Sequence, residues 1–212
     1  SEYTGVDEKT LTHLVMRESD RLSRLLSEFL DFARVRVARR EPIDLAQLAA
    51  GAVRLAMAHP DRPASVSVVC TAPEGVHFVE GDDDLLHRAI FNLLLNAVQA
   101  SPEGGAVHLE VAPATPDQLD ASTSAFADGG IAITVSDVGS GIPADIRDRL
   151  FDPFFTTRPG GSGLGLAVVQ RAIDAHRGLV FLDSSAAGTR FIVVLPRAAR
   201  FTPPFGGAIV SS

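Results

Sequence analysis

Two asparagines spaced four residues apart are the first side chains whose pattern points to chemistry. Asn92 and Asn96 lie in the segment DDLLHRAIFNLLLNAVQA (83–100), which begins with acidic residues and has the apolar spacing of a helix. Side chains four apart share a helix face, and this face also carries the apolar Ala89 and Leu93. Amides are costly to bury there without partners. They could ligate a cation such as Mg²⁺ together with phosphate oxygens, or they could simply hydrogen bond within the core.

A carboxylate followed by a glycine turn is the second candidate. In VSDVGSGIP (135–143), Asp137 ends a predicted strand and is followed by Gly139, Gly141 and Ile142. An aspartate in this position can accept a hydrogen bond from an exocyclic amine, and glycines let a flat base approach the backbone. The alternative is an ordinary connection from a strand to a helix, because Asp-x-Gly is common in turns.

The segment PGGSGLGLAVVQ (159–170) has the glycine content of a phosphate-binding loop. It fits neither familiar pattern: a P-loop starting at Gly160 would need lysine where Leu166 lies, and the dinucleotide pattern G-x-G-x-x-G/A also fails. The run leads into a predicted helix, whose free amide hydrogens and dipole attract phosphate. Arg158, just before it, could complement that charge. We therefore expect either a mobile lid over a nucleotide or an unconstrained surface loop.

An N-terminal helix is predicted over residues 10–36, because apolar side chains repeat there every seven residues in two rows. One row contains Val15, Leu22 and Phe29, and the other is interrupted by Glu18. A single helix cannot bury these two rows of apolar side chains, which we call the seam, so the helix needs another helix or another chain to pack against. The alternative is that the helix packs on its own domain.

The rest of the chain predicts a mixed sheet covered by helices on one face, which is a two-layer α/β sandwich. Pro42 breaks the helical pattern and places a domain boundary near residue 40. The predicted units are a helical segment, a main domain and a tail without a clear pattern, at 1–40, 41–200 and 201–212. Helices are predicted at 45–58, 83–100 and 143–150, and a further helix follows the glycine segment and runs through His176. Strands are predicted at 65–70, 76–80, 106–111, 131–137, 179–183 and 189–196.

Several local features accompany this prediction. Asp44 is expected to start the second helix with a capping box, and Gly178 is expected to close the last one. The strands at 65–70 and 76–80 are expected to be joined by a turn. The 112–130 segment, long, small and polar, is expected to be a mobile loop.

Composition narrows the possible partners and compartments. The 212 residues are 46% hydrophobic and carry a net charge of −7, which is typical of a globular domain and argues against a nucleic-acid surface. The single cysteine, Cys70, suits a reducing compartment. No apolar run approaches the ~18–20 residues needed to cross a bilayer. We expect a cytoplasmic location, which leaves open a membrane anchor elsewhere in a full-length protein.

The order of these motifs resembles the ATP-binding catalytic domain of two-component sensor histidine kinases. NLLLNAVQAS (92–101) resembles the N box and DVGSGI (137–142) the first glycine box of that family. FDPFFTT (151–157) resembles the F box, GGSGLGL (160–166) the second glycine box, and the Gly-Thr pair at 188–189 the last. The resemblance implies a Bergerat-type ATP-binding fold, with ATP and Mg²⁺ as cofactors.

The resemblance also implies roles for individual residues. Asn96 would hold Mg²⁺, Asn92 would assist at the phosphates, Asp137 would read the adenine amine, Thr189 would support adenine, and 160–165 would form the ATP lid. His87 and Arg88, one turn before Asn92, are a further candidate for the phosphates. The predicted catalytic residues are Asn92, Asn96 and Arg158. The predicted nucleotide-binding residues are Asn92, Asn96, Gln99, Asp137, Gly139, Gly141, Ile142, Phe155, Thr156, Thr157, Arg158, Gly161, Ser162, Gly163, Leu164, Gly165, Leu166 and Thr189.

The N-terminal helix departs from the family at one point. Residues 18–34 resemble the second helix of the family's dimerisation hairpin, but the phosphoacceptor histidine of the family precedes an acidic residue, and His13 is followed by Leu14. We expect the acceptor upstream of this chain. The implied reaction transfers the ATP γ-phosphoryl group to that histidine, in a homodimer, for relay to a response-regulator aspartate.

Three other functions stay open on the sequence. A gyrase- or MutL-type hydrolase would carry a glutamate one turn before the metal-binding asparagine, where this chain has Asn92. An anti-sigma-factor-like serine kinase would lack the long seam helix. The third alternative is a module that only senses the nucleotide.

Overall fold

The chain forms a long N-terminal helix, followed by a mixed β-sheet with three helices on one face. The structure is a computed structural model that describes residues 4–33, 37, 39–60, 62–73, 77–119, 124–158 and 161–198. The helices are α1 (Thr4–Ala33), α2 (Leu45–Ala58), α3 (Asp83–Ala100) and α4 (Gly165–Ala175). The strands are β1 (Glu41–Asp44), β2 (Ser67–Thr71), β3 (Phe78–Gly81), β4 (Ala106–Pro113), β5 (Gly130–Ser136), β6 (Leu179–Ser185) and β7 (Gly188–Pro196). Single-turn 3₁₀ helices cover Pro116–Gln118 and Ser124–Phe126, and a longer one covers Ala144–Arg149.

The main sheet has five strands in the order β2-β4-β5-β7-β6. The β2/β4 pair is parallel and the other pairs are antiparallel. The strands at 65–70 and 76–80, expected to be joined by a turn, do not pair with each other: β2 pairs with β4, and β3 pairs with β1 in a separate two-stranded sheet. Residues 74–76 of the expected turn lie outside the described residues. Pro42 lies inside β1 rather than in a linker, which an edge strand tolerates. The predicted tail at 201–212 lies outside the described residues.

The core lies between the main sheet and helices α2, α3 and α4, as the sandwich prediction requires. Alternate strand residues point to this face, and Leu109, Ile133 and Val193 are fully buried there. Leu94 of α3 and Ile173 of α4 are also fully buried in the same cluster. Burial of each such side chain contributes about 1.5–3 kcal/mol, so the sheet holds α3 and α4 firmly in place.

The 112–130 segment differs from the expected mobile loop. Its described parts contain the two single-turn 3₁₀ helices, and Phe126 is buried against Ala132 and Val194 on the outer face of the sheet. Leu119 packs on the same small cluster. Two apolar side chains among many small and polar ones are enough to dock the segment, although composition alone suggested mobility. Residues 120–123 lie outside the description.

Helix ends follow the sequence with one exception. The Asp44 carboxylate accepts hydrogen bonds from the first-turn amides of α2, which confirms Asp44 as the N-cap of the helix. At the end of α4, the left-handed residue is Arg177 (φ 57°) and not Gly178. The Gly178 N–H donates to Ile173 O at 2.9 Å, and a Cβ at Gly178 would lie 2.6 Å from Val194 O. Glycine is therefore required there by close packing and not by its backbone angle.

Among the residues described, helix α1 contacts α4 and Phe154 near its C-terminal end. The Arg171 guanidinium of α4 lies 4.6 Å from the Phe32 ring centroid and donates to Phe32 O at 3.0 Å. The rings of Phe29 and Phe154 stack at 6.4 Å. Further towards the N-terminus of α1, the apolar seam residues Leu11, Val15 and Leu22 are exposed to solvent, and Leu22 is 65% exposed. No helix in the described ranges is both long enough and apolar enough to cross a membrane.

Candidate functional site

A cavity of about 260 Å³ opens between α3, the end of β5 and the start of β7. Its lining includes eight of the predicted residues, which are Asn96, Asp137, Gly141, Ile142, Thr157, Arg158, Leu166 and Thr189. It also includes residues that the sequence did not single out, which are Ala97, Ala100, Ser140, Pro143, Ile146, Leu150 and Phe191. The lining combines a mostly apolar wall with a few polar groups, which is typical of a site for a planar ligand with a polar edge.

Asp137 is a buried carboxylate of the cavity that two backbone amides hold in place. It follows β5 directly, and its Oδ1 accepts hydrogen bonds from the Gly139 N–H (2.8 Å) and the Thr189 N–H (3.2 Å). Burial raises the pKa of the Asp137 carboxyl, while these two bonds and the positive charge of Arg158 act in the opposite direction. Within the described chain both bonds go to Oδ1, so Oδ2 is the oxygen left to accept a hydrogen bond from a ligand.

Two glycines make the close backbone packing around Asp137 possible. Gly141 has φ +74°, and a Cβ there would overlap Ser185 O. Gly188 has φ +141°, and a Cβ there would overlap the carbonyl oxygen of Asp137 itself. No other residue fits either position without moving the backbone. The Gly-Thr pair at 188–189 thus brings β7 against the end of β5.

Ser184 and Arg147 hold the turn that forms one wall of the cavity, and neither was predicted. The Ile142 N–H donates to Ser184 Oγ at 2.7 Å. The Arg147 guanidinium donates to Ile142 O at 3.1 Å and to Ser184 O at 2.6 Å. Nothing in the sequence marks these two residues, because Ser184 lies 42 positions from Ile142 and on another strand.

The amide side chains of α3 face the glycine segment, as their spacing predicts. Arg158 donates from Nη1 to Asn96 Oδ1 (3.1 Å) and to Gln99 Oε1, and from Nη2 to Asn96 O (2.9 Å). Asn92 lies next to Gly165, where an added Cβ would be 3.6 Å from Asn92 Oδ1. The first turn of α4 therefore lies beside Asn92 and Asn96.

The described part of the glycine segment folds back on the 151–157 stretch. Gly163 (φ +69°) accepts a hydrogen bond from the Phe154 N–H at 3.0 Å, and Ser162 Oγ accepts one from the Leu164 N–H at 3.2 Å. Leu164 is fully buried just before α4. These contacts anchor the segment at the helix N-terminus, where free amide hydrogens favour an anion. Gly160, part of the predicted lid, lies outside the described residues.

The remaining predicted residues lie around the cavity and not on its wall. Thr156 Oγ1 accepts a hydrogen bond from the Arg158 N–H at 3.1 Å, next to Gly161, where an added Cβ would lie 2.8 Å from that oxygen. The Phe155 ring packs under the Arg149 guanidinium, 4.5 Å from its centroid. These residues shape the segment before the glycines.

His87 is directed away from this cavity, which corrects the suggestion that it reaches the phosphates. Its Nε2 faces Gly51 of α2, where an added Cβ would lie 3.3 Å away. Five positions along a helix turn a side chain well away from the face of Asn92. Arg88 is exposed.

The donor set of the cavity suits Mg²⁺ held largely by a ligand's own phosphates. Among the residues that the structure describes, no group of three or more His, Cys, Asp or Glu side chains could hold a metal ion. The hard side-chain oxygens of α3 beside the first turn of α4 include the amide oxygens of Asn92 and Asn96. Mg²⁺ is commonly bound by one or two protein oxygens together with waters and substrate phosphates, so the residues present fit that ion.

Comparison with known proteins identifies the family. The sequence family described as histidine kinase-, DNA gyrase B- and HSP90-like ATPase matches residues 81–199. The chain belongs to this ATPase family. The match covers the segment from the start of α3 to the end of β7, which contains all the motifs assigned to the nucleotide site.

Within the family, the chain is similar to sensor histidine kinases. ZraS of Escherichia coli K12, a sensor histidine kinase, is 30% identical over 193 residues, which are 91% of this chain and 38% of ZraS. The crystal structure of full-length ShkA in complex with AMPPNP has a TM-score of 0.72 and 26% identity, covering 95% of this chain and 41% of ShkA. The mycobacterial sensor histidine kinase MprB has a TM-score of 0.60 and 30% identity, covering 74% of this chain and 97% of that one.

These findings confirm the resemblance and the fold class. The chain contains a histidine-kinase-type ATPase domain, built as an α/β sandwich like the catalytic domains of that group. It spans less than half the length of ZraS.

Proposed function

We propose that this chain binds ATP with Mg²⁺ and transfers the γ-phosphoryl group to a histidine, from which it passes to an aspartate of a response-regulator receiver domain. One observation carries the proposal: Asp137, Thr189 and Asn96, far apart in sequence, line a single cavity in a domain of this family. The similarity to sensor histidine kinases supports the phosphotransfer part of the proposal.

The adenine end of the nucleotide would lie against Asp137. Its free Oδ2 can accept a hydrogen bond from the exocyclic amine, while Oδ1 stays with the two backbone amides. The apolar side chains of Ile142, Ile146 and Phe191 line the same cavity and offer a surface for the flat ring.

The phosphate end would lie between α3 and the N-terminus of α4. Asn96 would hold Mg²⁺, which neutralises charge on the transferring phosphoryl group. Asn92 lies beside Gly165 at the start of α4 and can donate to a phosphate oxygen. Transfer of this kind depends on positioning and charge and needs little covalent chemistry from the protein.

We propose that the phosphoacceptor lies outside this chain and that α1 pairs with helices of a second copy. His13 lies on α1 before Leu14 and lacks the acidic neighbour of the family's acceptor. Exposed Leu11, Val15 and Leu22 give the helix an apolar seam that a partner helix would cover. A cytoplasmic location fits a site that uses ATP.

A gyrase-type hydrolysis is disfavoured by one residue. The position one turn before Asn96 holds Asn92, whose amide cannot act as a general base towards water.

The test is calorimetric titration of ATP with and without Mg²⁺, in the parent protein and in Asn96→Ala. We expect Mg²⁺ to increase the ATP affinity of the parent. In Asn96→Ala this Mg²⁺-dependent increase should be smaller by a factor of roughly ten or more, since a hydrogen bond to a charged group is worth about 1.5–3 kcal/mol. Gln170→Ala is the matched control, because that amide lies on α4 and bonds to Asp174. An equal Mg²⁺ effect in Asn96→Ala, or a parent that does not bind ATP, contradicts the proposal.

A further inference from the structure

The side chain of Arg158 connects the glycine segment to α3 through the proposed metal ligand. Arg158 is the residue just before that segment, and its guanidinium donates three hydrogen bonds to α3. Two come from Nη1, to Asn96 Oδ1 and to Gln99 Oε1, and one from Nη2, to Asn96 O. Arginine stays charged in proteins, so a full positive charge lies on the Asn96 amide oxygen.

The same oxygen cannot serve a guanidinium and a divalent cation equally well. Both would approach Asn96 Oδ1 from the cavity, and like charges that share a half-buried acceptor repel each other strongly because little water screens them. Arg158 lines the cavity along with Asn96. The two cations therefore exclude one another at this position.

We propose that Arg158 acts as an internal counter-cation on Asn96: its guanidinium holds residue 158 on α3 and must leave for Mg²⁺ to bind. This inference rests on the proposed function, in which Asn96 is the metal ligand. When displaced, the guanidinium is free to pair with phosphate oxygens, which its planar fork suits. Metal binding and release of Arg158 from α3 are then a single exchange.

Gln99 becomes a positioning residue in this arrangement. Its Oε1 accepts from the same Nη1 that contacts Asn96, so it favours the state in which Arg158 lies on α3. The planar fork of arginine reaches Asn96 O and both amide side chains together, whereas the single ammonium of lysine matches that pattern poorly. Two variants therefore weaken the hydrogen bonds between Arg158 and α3, which we call the tether, in different ways. Gln99→Leu removes one acceptor, and Arg158→Lys keeps the charge but loses the planar fork.

The experiment measures the Mg²⁺ concentration that gives half of the metal-dependent gain in ATP affinity. We expect this concentration to fall about three- to tenfold in Gln99→Leu and in Arg158→Lys, which is the size of one lost hydrogen bond. Gln170→Leu changes a half-buried amide of α4 outside the cavity and should leave this concentration unchanged. Hydrogen exchange without nucleotide or metal is the second readout, and amides 161–165 should exchange faster in both tether variants.

The outcomes separate this inference from the proposed function. A parent protein whose ATP binding ignores Mg²⁺ overturns both. If ATP binding by the parent depends on Mg²⁺ but the half-maximal Mg²⁺ concentration (the half-point) is unchanged or raised in both tether variants, the proposed exchange of Arg158 for Mg²⁺ is wrong. The proposed function is then unaffected. Faster exchange at 161–165 without a shift of the half-point shows that Arg158 is only a structural strap, which also overturns the inference.

Discussion

The carboxylate of Asp137 offers the cavity a single, fixed hydrogen-bond acceptor. Its Oδ1 is held by the amides of Gly139 and Thr189, so the group cannot rotate freely and presents Oδ2 in a fixed direction. A fixed acceptor matches the amine of adenine and opposes the carbonyl that guanine carries at the same place. Discrimination by a buried polar group of this kind is large, because the wrong ligand leaves that group unpaired.

We predict that Asp137→Asn changes the preferred nucleotide. The new amide keeps its oxygen on the two backbone N–H groups and presents Nδ2, a donor, where Oδ2 was an acceptor. ATP affinity should fall roughly 10- to 100-fold, from a loss of about 1.5–3 kcal/mol, and the ratio of ATP to GTP affinity should fall with it. Asp137→Ala should weaken ATP without favouring GTP.

Calorimetric titration with both nucleotides measures the change. Asp148→Asn is the matched control, because Asp148 is an exposed carboxylate outside the cavity. An unchanged ratio of ATP to GTP affinity in Asp137→Asn would exclude Asp137 as the group that reads the base.

At the scale of helices and strands, His176 fastens the end of α4 to the start of α3. Its Nδ1–H donates to Ala172 O at 2.6 Å, and its Nε2 accepts the Asp82 N–H at 2.8 Å. This pattern requires the neutral ring, because Nε2 must keep its lone pair. Gly81 makes room for the ring, since a Cβ there would lie 2.6 Å from it. The helix that carries Asn92 and Asn96 is thus fixed to the helix that begins at the glycine segment.

We predict that this link weakens in acid. Burial lowers the pKa of His176 and nearby Arg40 lowers it further, while the bond to Ala172 O and the charge of Asp82 act in the opposite direction. With a folded pKa below the unfolded value of about 6.5, the unfolded chain binds more protons as pH falls. The stability contributed by His176 is complete above about pH 6.5 and is lost as pH falls through the folded pKa.

Urea unfolding at several pH values from 7.5 to 5 measures this dependence. Other groups titrate in the same range, so the informative quantity is the difference between the parent and His176→Gln, a variant without the titrating ring. The free energy of unfolding of the parent should fall more steeply with acid than that of the variant. Parallel slopes would mean that His176 does not couple the two helices to pH.

The features that depend on neighbouring residues could be predicted from the sequence, whereas strand pairing between distant segments could not. The helix at 83–100 was predicted with its first and last residues because acidic residues start it and Pro102 follows it. The partners of β2 and β3 were missed because pairing depends on segments more than 30 residues away, as in Thr71 with Glu110. The same limit hid Ser184 and Arg147, whose roles arise only when β6 reaches the turn after β5.

The whole molecule joins a nucleotide domain to a helix that has little contact with it. Contacts of α1 lie at its C-terminal end, through Phe29, Phe32 and Arg171. The rest of its apolar seam is exposed, including Leu11 and Leu22. An exposed apolar seam of this length is typical of an interaction surface.

We predict that the seam joins two copies of the full-length protein. Val15→Glu combined with Leu22→Glu places charge on the seam and should convert the dimer to a monomer in sedimentation experiments. ATP affinity should stay the same, because neither residue touches the cavity. Arg17→Glu, two positions beyond Val15 and off the seam, is the control and should remain dimeric. A double variant that sediments as the parent does would show that the seam is not the dimer interface.

The strand order has a consequence for the newborn chain. β7 lies between β5 and β6; it supplies Thr189 to the cavity and Gly188 to the close packing against Asp137. Ribosomes release the N-terminal part first, so Asp137 emerges 52 residues before the amide that fixes it, and Asn96 emerges 62 residues before Arg158. Until β7 has been synthesised, one edge of β5 presents unpaired backbone N–H and C=O groups, which can pair with another chain. The nucleotide can therefore bind and stabilise the domain only after β7 has been synthesised, when translation of the domain is almost complete.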